Sequence, residues 1–355
     1  MRDSSESSLV RELAPYRTSS TARSLFELAI TGVPFVTLWV LTWAAVDAGR
    51  WESLLLTIPA AAFLVRLFMI QHDCGHGSFF ANRRANAWVG RCIGVLTLTP
   101  FGAWKRAHAL HHAGSGNLDR RGVGDIDTLT VEEYQALRPG RRLLYRLYRH
   151  PVVMFGIGPA YLFLLRHRLP PDGQMKNGWQ PWASVMATNA AVAAVLTGLM
   201  ALLGVGPVLI VQVPITLIAG AIGIWLFYVQ HQFDGTVWSH GDAWVFHEAA
   251  LHGSSHYDLP PVLRWLTANI GIHHVHHLCG RIPYYRLPEV LRDYPELAAL
   301  GRLTLRESLG SARLALWDEK ARRLVSFREA FPVPRPPIQK GSGVTGWTVG
   351  AESSR

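Results

Sequence analysis

Four apolar runs, each close to the thickness of a bilayer core, divide the chain. The first covers residues 29–46, and a short polar loop through Asp47, Arg50 and Glu52 leads to the second, 53–70. Residues 177–233 hold no charged residue and are too long for one crossing, so Gly204-Val-Gly-Pro207 divides them into runs at 182–203 and 207–229. The pattern predicts an all-α polytopic membrane protein with two helical hairpins. Arg66 lies near one end of the second run, where its stem can follow the helix while the guanidinium reaches the interface.

Two further apolar stretches are too short or too interrupted to cross. Residues 88–104 are broken by Arg91 and Pro100, and residues 151–165 are flanked by Arg149 and Arg166. Both are expected to lie in the interface or to re-enter. Amphipathic helix is expected around Val131 to Tyr148 and over 302–331. Residues 1–28 form a polar N-terminal segment without signal-peptide features, 29–331 one membrane domain, and 332–355, rich in Pro, Gly and Ser, a disordered tail.

Composition agrees with the pattern. Of 355 residues 49% are hydrophobic and only 17% charged, with a positive mean hydropathy, which is too apolar for an ordinary soluble domain. The net charge of +10 comes without a basic stripe interleaved with aromatics, so nucleic acid is not the expected partner. The loop from Gln71 to Pro181 carries Lys or Arg at 15 positions, whereas the opposite turns carry Arg50 and nothing. By the positive-inside rule that loop and both termini face the cytoplasm, across the inner membrane if the cell is bacterial. Cys74, Cys92 and Cys279 form no C-x-x-C motif and no disulfide framework, and are expected to be apolar filler.

The candidate chemistry is in the histidines. His108-Ala-Leu-His111-His112 recurs as His273-His-Val-His276-His277, and His72-Asp-Cys-Gly-His76 adds a pair at i and i+4. On a helix such spacings share one face, so each cluster is expected to aim its imidazoles at one point. Neutral imidazoles in this number exceed the four ligands of a structural zinc and predict two redox-active metals, suited to activating dioxygen against an unreactive C–H bond. His231, at the end of the fourth run as His72 is at the end of the second, is expected as a ninth ligand. Within the last cluster, geometry leaves His274 and His276 open, and the match to His108, His111 and His112 selects His276. His274 is then a supporting or solvated residue. His252 and His256 read as loop residues, and His150, His167, His240 and His247 as isolated. Asp73, Asp119, Asp125 and Asn269 are candidates to orient ligand imidazoles.

These motifs, with Gln230-His231-Gln-Phe233, Trp238 and Arg281-Ile-Pro283, resemble those of the membrane fatty acid desaturases over residues 29 to 330. The acyl-lipid type related to omega-6 (delta-12) and bacterial delta-5 enzymes is the nearest, because three residues separate His72 from His76 where acyl-CoA desaturases have four. The resemblance implies a cytoplasmic helical cap holding a di-iron centre, with His72, His76, His108, His111, His112, His231, His273, His276 and His277 as ligands. It further implies O2 as co-substrate and a cis double bond placed in the acyl chain of a membrane lipid, at delta-12 or alternatively delta-5 or delta-9. The chain shows no haem, Fe–S or nucleotide motif, so two electrons must come from an external donor such as ferredoxin. A di-iron hydroxylase or carotenoid ketolase is the nearest rival. A metal transporter is the rival from another class, which the absence of histidine inside the runs disfavours. Regioselectivity, headgroup and oligomeric state are not written in these motifs.

Overall fold

The computed structural model describes residues 9–332 except 123, 172–173 and 176–177, so the expected tail falls almost wholly outside the described residues. Among the described residues, four helices are long and apolar enough to cross a membrane: Thr21–Asp47, Thr57–His76 with the 3₁₀ turn Trp51–Leu56 before it, Trp179–Leu203 and Val205–His231. Each matches an expected run but extends beyond it. The first begins at Thr21, inside the segment expected to precede the membrane, and the second and fourth continue until His72, His76 and His231 are part of the helices themselves. An apolar run marks where lipid solvates a helix, whereas the helix continues wherever protein covers its polar turns.

The second helix is the hub. Half of its most apolar window is buried, against 6% for the third helix, because it packs on the first helix, the fourth helix and the helix Arg83–Leu96. The last of these and Phe101–Gly114 form a tight hairpin over the interrupted stretch 88–104. A Cβ at Gly90 would stand 2.4 Å from the Phe101 ring and one at Gly94 2.6 Å from the Thr99 carbonyl, so the turn closes only on bare backbone. The hairpin returns His108 to the end of the bundle that carries His76, as the spacing required.

Residues 151–165 are helical, with widened turns at Val153–Ile157 and Tyr161–Leu165, and expose Val152, Ile157, Tyr161 and Leu165, which suits an interfacial position. The helix expected over 131–148 is two, Val131–Ala136 and Pro139–Tyr148. Pro139 cannot continue the first and holds Arg138 in an extended conformation. The amphipathic helix expected over 302–331 is not formed. Arg302–Thr304, Leu316–Asp318 and Arg323–Val325 are strands, separated or followed by the short helices Leu305–Ser311 and Phe327–Ala330. Capping boxes at Thr304/Glu307 and Ser326/Glu329 start those helices, and Arg322 at φ 51° closes the turn between two strands. Leu316–Asp318 lies between Leu129–Thr130, parallel, and Arg323–Val325, antiparallel, while Arg302–Thr304 pairs in parallel with His256–Asp258. The fold is thus mostly helical with two small sheets in the cap.

Arg66 corrects another expectation. It is 1% exposed and does not reach an interface. Its guanidinium donates to the buried Glu27 carboxylate, to Thr31 Oγ1 at 3.1 Å and to the Trp265 carbonyl, and lies 4.2 Å over the Trp265 ring. Tyr284 Oη donates to the same carboxylate at 3.0 Å. Glu27 precedes the first apolar run, so its capture of Arg66 inside the bundle was not visible from hydropathy.

Candidate metal centre

All nine expected histidines meet at one end of the bundle, in two adjoining groups. His72, His76, His108, His112 and His276 form the first, and His111, His231, His273 and His277 the second; within each, one ring nitrogen per residue lies within 4.8 Å of every other. The two touch where the His112 and His277 rings stack at 4.1 Å between centroids. The expectation that each cluster aims at a single point is corrected by this division. His108 and His112 (i, i+4) stay together while His111 turns to the second group. His273 and His277 likewise stay together while His276 turns to the first. Side chains at i and i+4 are about 40° apart around a helix, whereas adjacent residues diverge by about 100°, so a five-residue cluster must serve two centres.

The nitrogens are close-set. Nε2 atoms are 3.0 Å apart for His76 and His108, 3.1 Å for His108 and His112, and 3.2 Å for His112 and His276. In the second group His231 Nε2 is 3.1 Å from that of His111 and 3.0 Å from that of His273. Nitrogens held about 2.0–2.1 Å from one metal stand roughly 2.9–3.4 Å apart, so this spacing is that of a donor set. His277 Nε2 is buried and has no hydrogen-bond partner among the described residues. Burial, and then the neighbouring imidazoles, hold His108, His112, His273, His276 and His277 well below the usual histidine value. They are neutral near pH 7, with lone pairs free for coordination.

Two of the four proposed orienting groups are in place. Asp125 accepts from His111 Nδ1, which fixes the tautomer that presents Nε2 as a lone pair. Asp73 is 3.4 Å from His72 Nδ1, and its other oxygen accepts from the Tyr284 amide at 2.7 Å. The other two are elsewhere: Asp119 binds His240, and Asn269 donates to the Tyr284 carbonyl. Ser115 Oγ, not anticipated, lies 3.4 Å from His231 Nδ1. His274 belongs to neither group; its Nε2 donates to the Leu297 carbonyl at 2.9 Å, and burial pushes it down to about 3. His256 is buried with Nδ1 on the Ala298 carbonyl rather than lying in a polar loop, because strand pairing with Arg302 draws its segment inward. His252 ends the helix Phe246–His252 beside Glu248. His240 is paired with Asp119 and Glu319, and His167 is half-buried with its ring edge-on to Phe163 at 5.1 Å between centroids, so neither is isolated. Cys74 and Cys279 are buried and Cys92 is exposed, all three as free thiols.

A cavity of about 30 Å³, enough for one or two water-sized molecules, lies against the second group and is lined in part by His111, Ser115, Asp125, Phe227, His231 and Trp238.

A model of the fatty acid desaturase family matches residues 49–308. The fatty acid desaturase of Bacillus subtilis (strain 168) is 43% identical over 331 residues, which cover 93% of each chain. In Synechocystis sp., an sn-1 acyl-lipid omega-3 desaturase (ferredoxin) is 29% identical over 243 residues, 62% of this chain and 61% of its own. An sn-1 oleoyl-lipid 12-desaturase of the same organism is 28% identical over 253 residues, 67% of each chain.

Proposed function

Because this chain belongs to the fatty acid desaturase family, and is an oxidoreductase acting on acyl lipids, we propose that it places a cis double bond at the delta-12 (omega-6) position of a membrane lipid's acyl chain. Iron is the metal that fits the nine-imidazole donor set: His72, His76, His108, His112 and His276 would hold one ion, and His111, His231, His273 and His277 the other. When bound, the pair supplies the O2 chemistry that removes two hydrogens from an unactivated chain. Two electrons come from an external carrier, for which ferredoxin is our assignment, supported by a relative whose name carries it. The site faces the cytoplasm, a reading supported by the 15 cationic residues between Gln71 and Pro181.

The chain's own residues prepare this chemistry. Asp125 holds the His111 proton on Nδ1. Asp73 joins the helix Thr57–His76 to Tyr284, eight residues after His276, so two stretches that feed the first group move as one body. The buried helix His273–Leu278 covers the groups, and exclusion of water there limits loss of reactive oxygen species and protons.

The observation that carries the reading is the five-plus-four division of imidazole nitrogens at the end of an apolar bundle. Expression in a host of known lipid composition, followed by mass-spectrometric location of new double bonds, tests it. A new delta-12 alkene without incorporated oxygen is expected. An alcohol or ketone product, or an alkene at delta-5 or delta-9, would overturn the reaction or the position respectively.

A further inference from the structure

Apart from the histidines, one aromatic feature connects the second group to the protein's surface. Trp238 lines the cavity beside His111 and His231, and its ring stacks on Trp317 with centroids 5.2 Å apart and planes inclined by 23°. Leu118 and Leu324 enclose the pair, and Trp317 is 2% exposed. The stack is fixed from both sides. Leu118 donates to the Ser239 carbonyl and Ser239 to that of Gly116, both at 3.0 Å, which ties the backbone after Trp238 to the segment after His112. Trp317 lies in the central strand of the three-stranded sheet.

Directly beyond Trp317 the chain makes the exposed turn Asp318-Glu-Lys-Ala-Arg322. Charges around this turn are sorted. Asp318 accepts from the amides of Lys320 and Ala321, Asp119 and Glu319 are both engaged by His240, and Arg323 is paired with Glu329. Arg120, Lys320 and Arg322 are exposed and have no acidic partner among the described residues. The local anions are therefore satisfied by the protein, and three cations remain for something outside it.

We propose that this turn is the port through which electrons enter: an acidic one-electron carrier protein docks on Arg120, Lys320 and Arg322, and its electron passes through the Trp317–Trp238 stack to the metal group at His111 and His231. Each encounter oxidises the carrier by one electron and reduces the centre by one, so two encounters supply the pair the reaction consumes. The proposal rests on the desaturase reading above. It adds the place and chemistry of docking, and it gives a role to the Trp238 ring in the cavity wall and to the Trp317 ring stacked behind it.

The test uses the full chain in lipid nanodiscs with a reduced [2Fe–2S] ferredoxin as probe. The double variant Lys320→Glu/Arg322→Glu should weaken ferredoxin binding about tenfold or more at low salt and flatten its salt dependence. Trp317→Leu should slow centre reduction by ferredoxin about tenfold relative to reduction by dithionite while binding stays as in the parent, and Trp317→Phe should restore most of the rate. Unchanged binding after charge reversal overturns the docking surface; equal rates in the Leu and Phe variants overturn the aromatic route. If Trp317→Leu fails to fold, the charge-reversal pair still decides the surface, and Trp238→Phe against Trp238→Leu decides the route. Parent protein that binds no iron and makes no alkene sinks the underlying reading, whereas parent protein that makes alkene with another donor but does not bind ferredoxin sinks the port alone.

Discussion

The two histidine groups are unequal in number, in exposure and in how they are held. The first has five members, three of them only half-buried, and its supports run into the membrane helices: Asp73 to Tyr284, then Glu27, then Arg66. The second has four members, all buried, and is braced by Asp125 on a loop and by Ser115. The first group therefore has an imidazole beyond four but depends on distant ionic packing. The second has none beyond four but depends on local contacts.

That contrast is sharpest in ligand deletions. His231→Ala should abolish alkene formation and reduce bound iron by about half, while His108→Ala, which leaves four imidazoles, should retain more metal. Iron per polypeptide in membrane-extracted protein checks both, and equal losses would erase the distinction. Arg66→Leu comes next. It removes one of the two cations on the buried Glu27 carboxylate, leaving Arg23 alone, and should destabilise the protein by about 2–3 kcal/mol, seen as a lower thermal midpoint, with the first group losing iron before the second. Adding Glu27→Gln should recover much of that loss.

Asp125→Asn removes the acceptor that sets the His111 tautomer and should weaken metal affinity at the second group about 10–100-fold, leaving the thermal midpoint of metal-free protein little changed. Titration against a competing chelator measures this. The smallest effect belongs to His240, whose affinity for protons Asp119 and Glu319 raise above the ordinary 6.5. A raised folded value means the tie is fully present below about pH 6.5 and fades as pH rises through the folded value. His240→Ala should therefore lower stability slightly at pH 6 and not at pH 9; a deficit that grows with pH would contradict the pairing.

Much of the site was legible because repeated H-x-x-H-H spacing survives any uncertainty about the fold. His231 was legible from its place at the end of an apolar run. The allotment of His111 and His276 away from their own clusters was not, since it depends on where each helix points around its axis. Arg66 was misread for a related reason: hydropathy places a charge relative to lipid and does not show Glu27 waiting on a neighbouring helix. The three-residue strands of the cap are too short to carry a period, so 302–331 looked helical from its Arg and Leu spacing. The break at Pro139 could have been read from the sequence, because proline ends a helix through its own covalent ring.

The members of each group are drawn from stretches of chain separated by two of the four candidate membrane helices: the first contains both His72 and His276, and the second both His111 and His277. During synthesis the last of these emerges only after the fourth helix has been made. With iron as the proposed metal, loading is a late step in biogenesis, and a cell starved of iron should accumulate chains that are inserted in the bilayer but whose histidine-bearing end is unfinished and open to proteases.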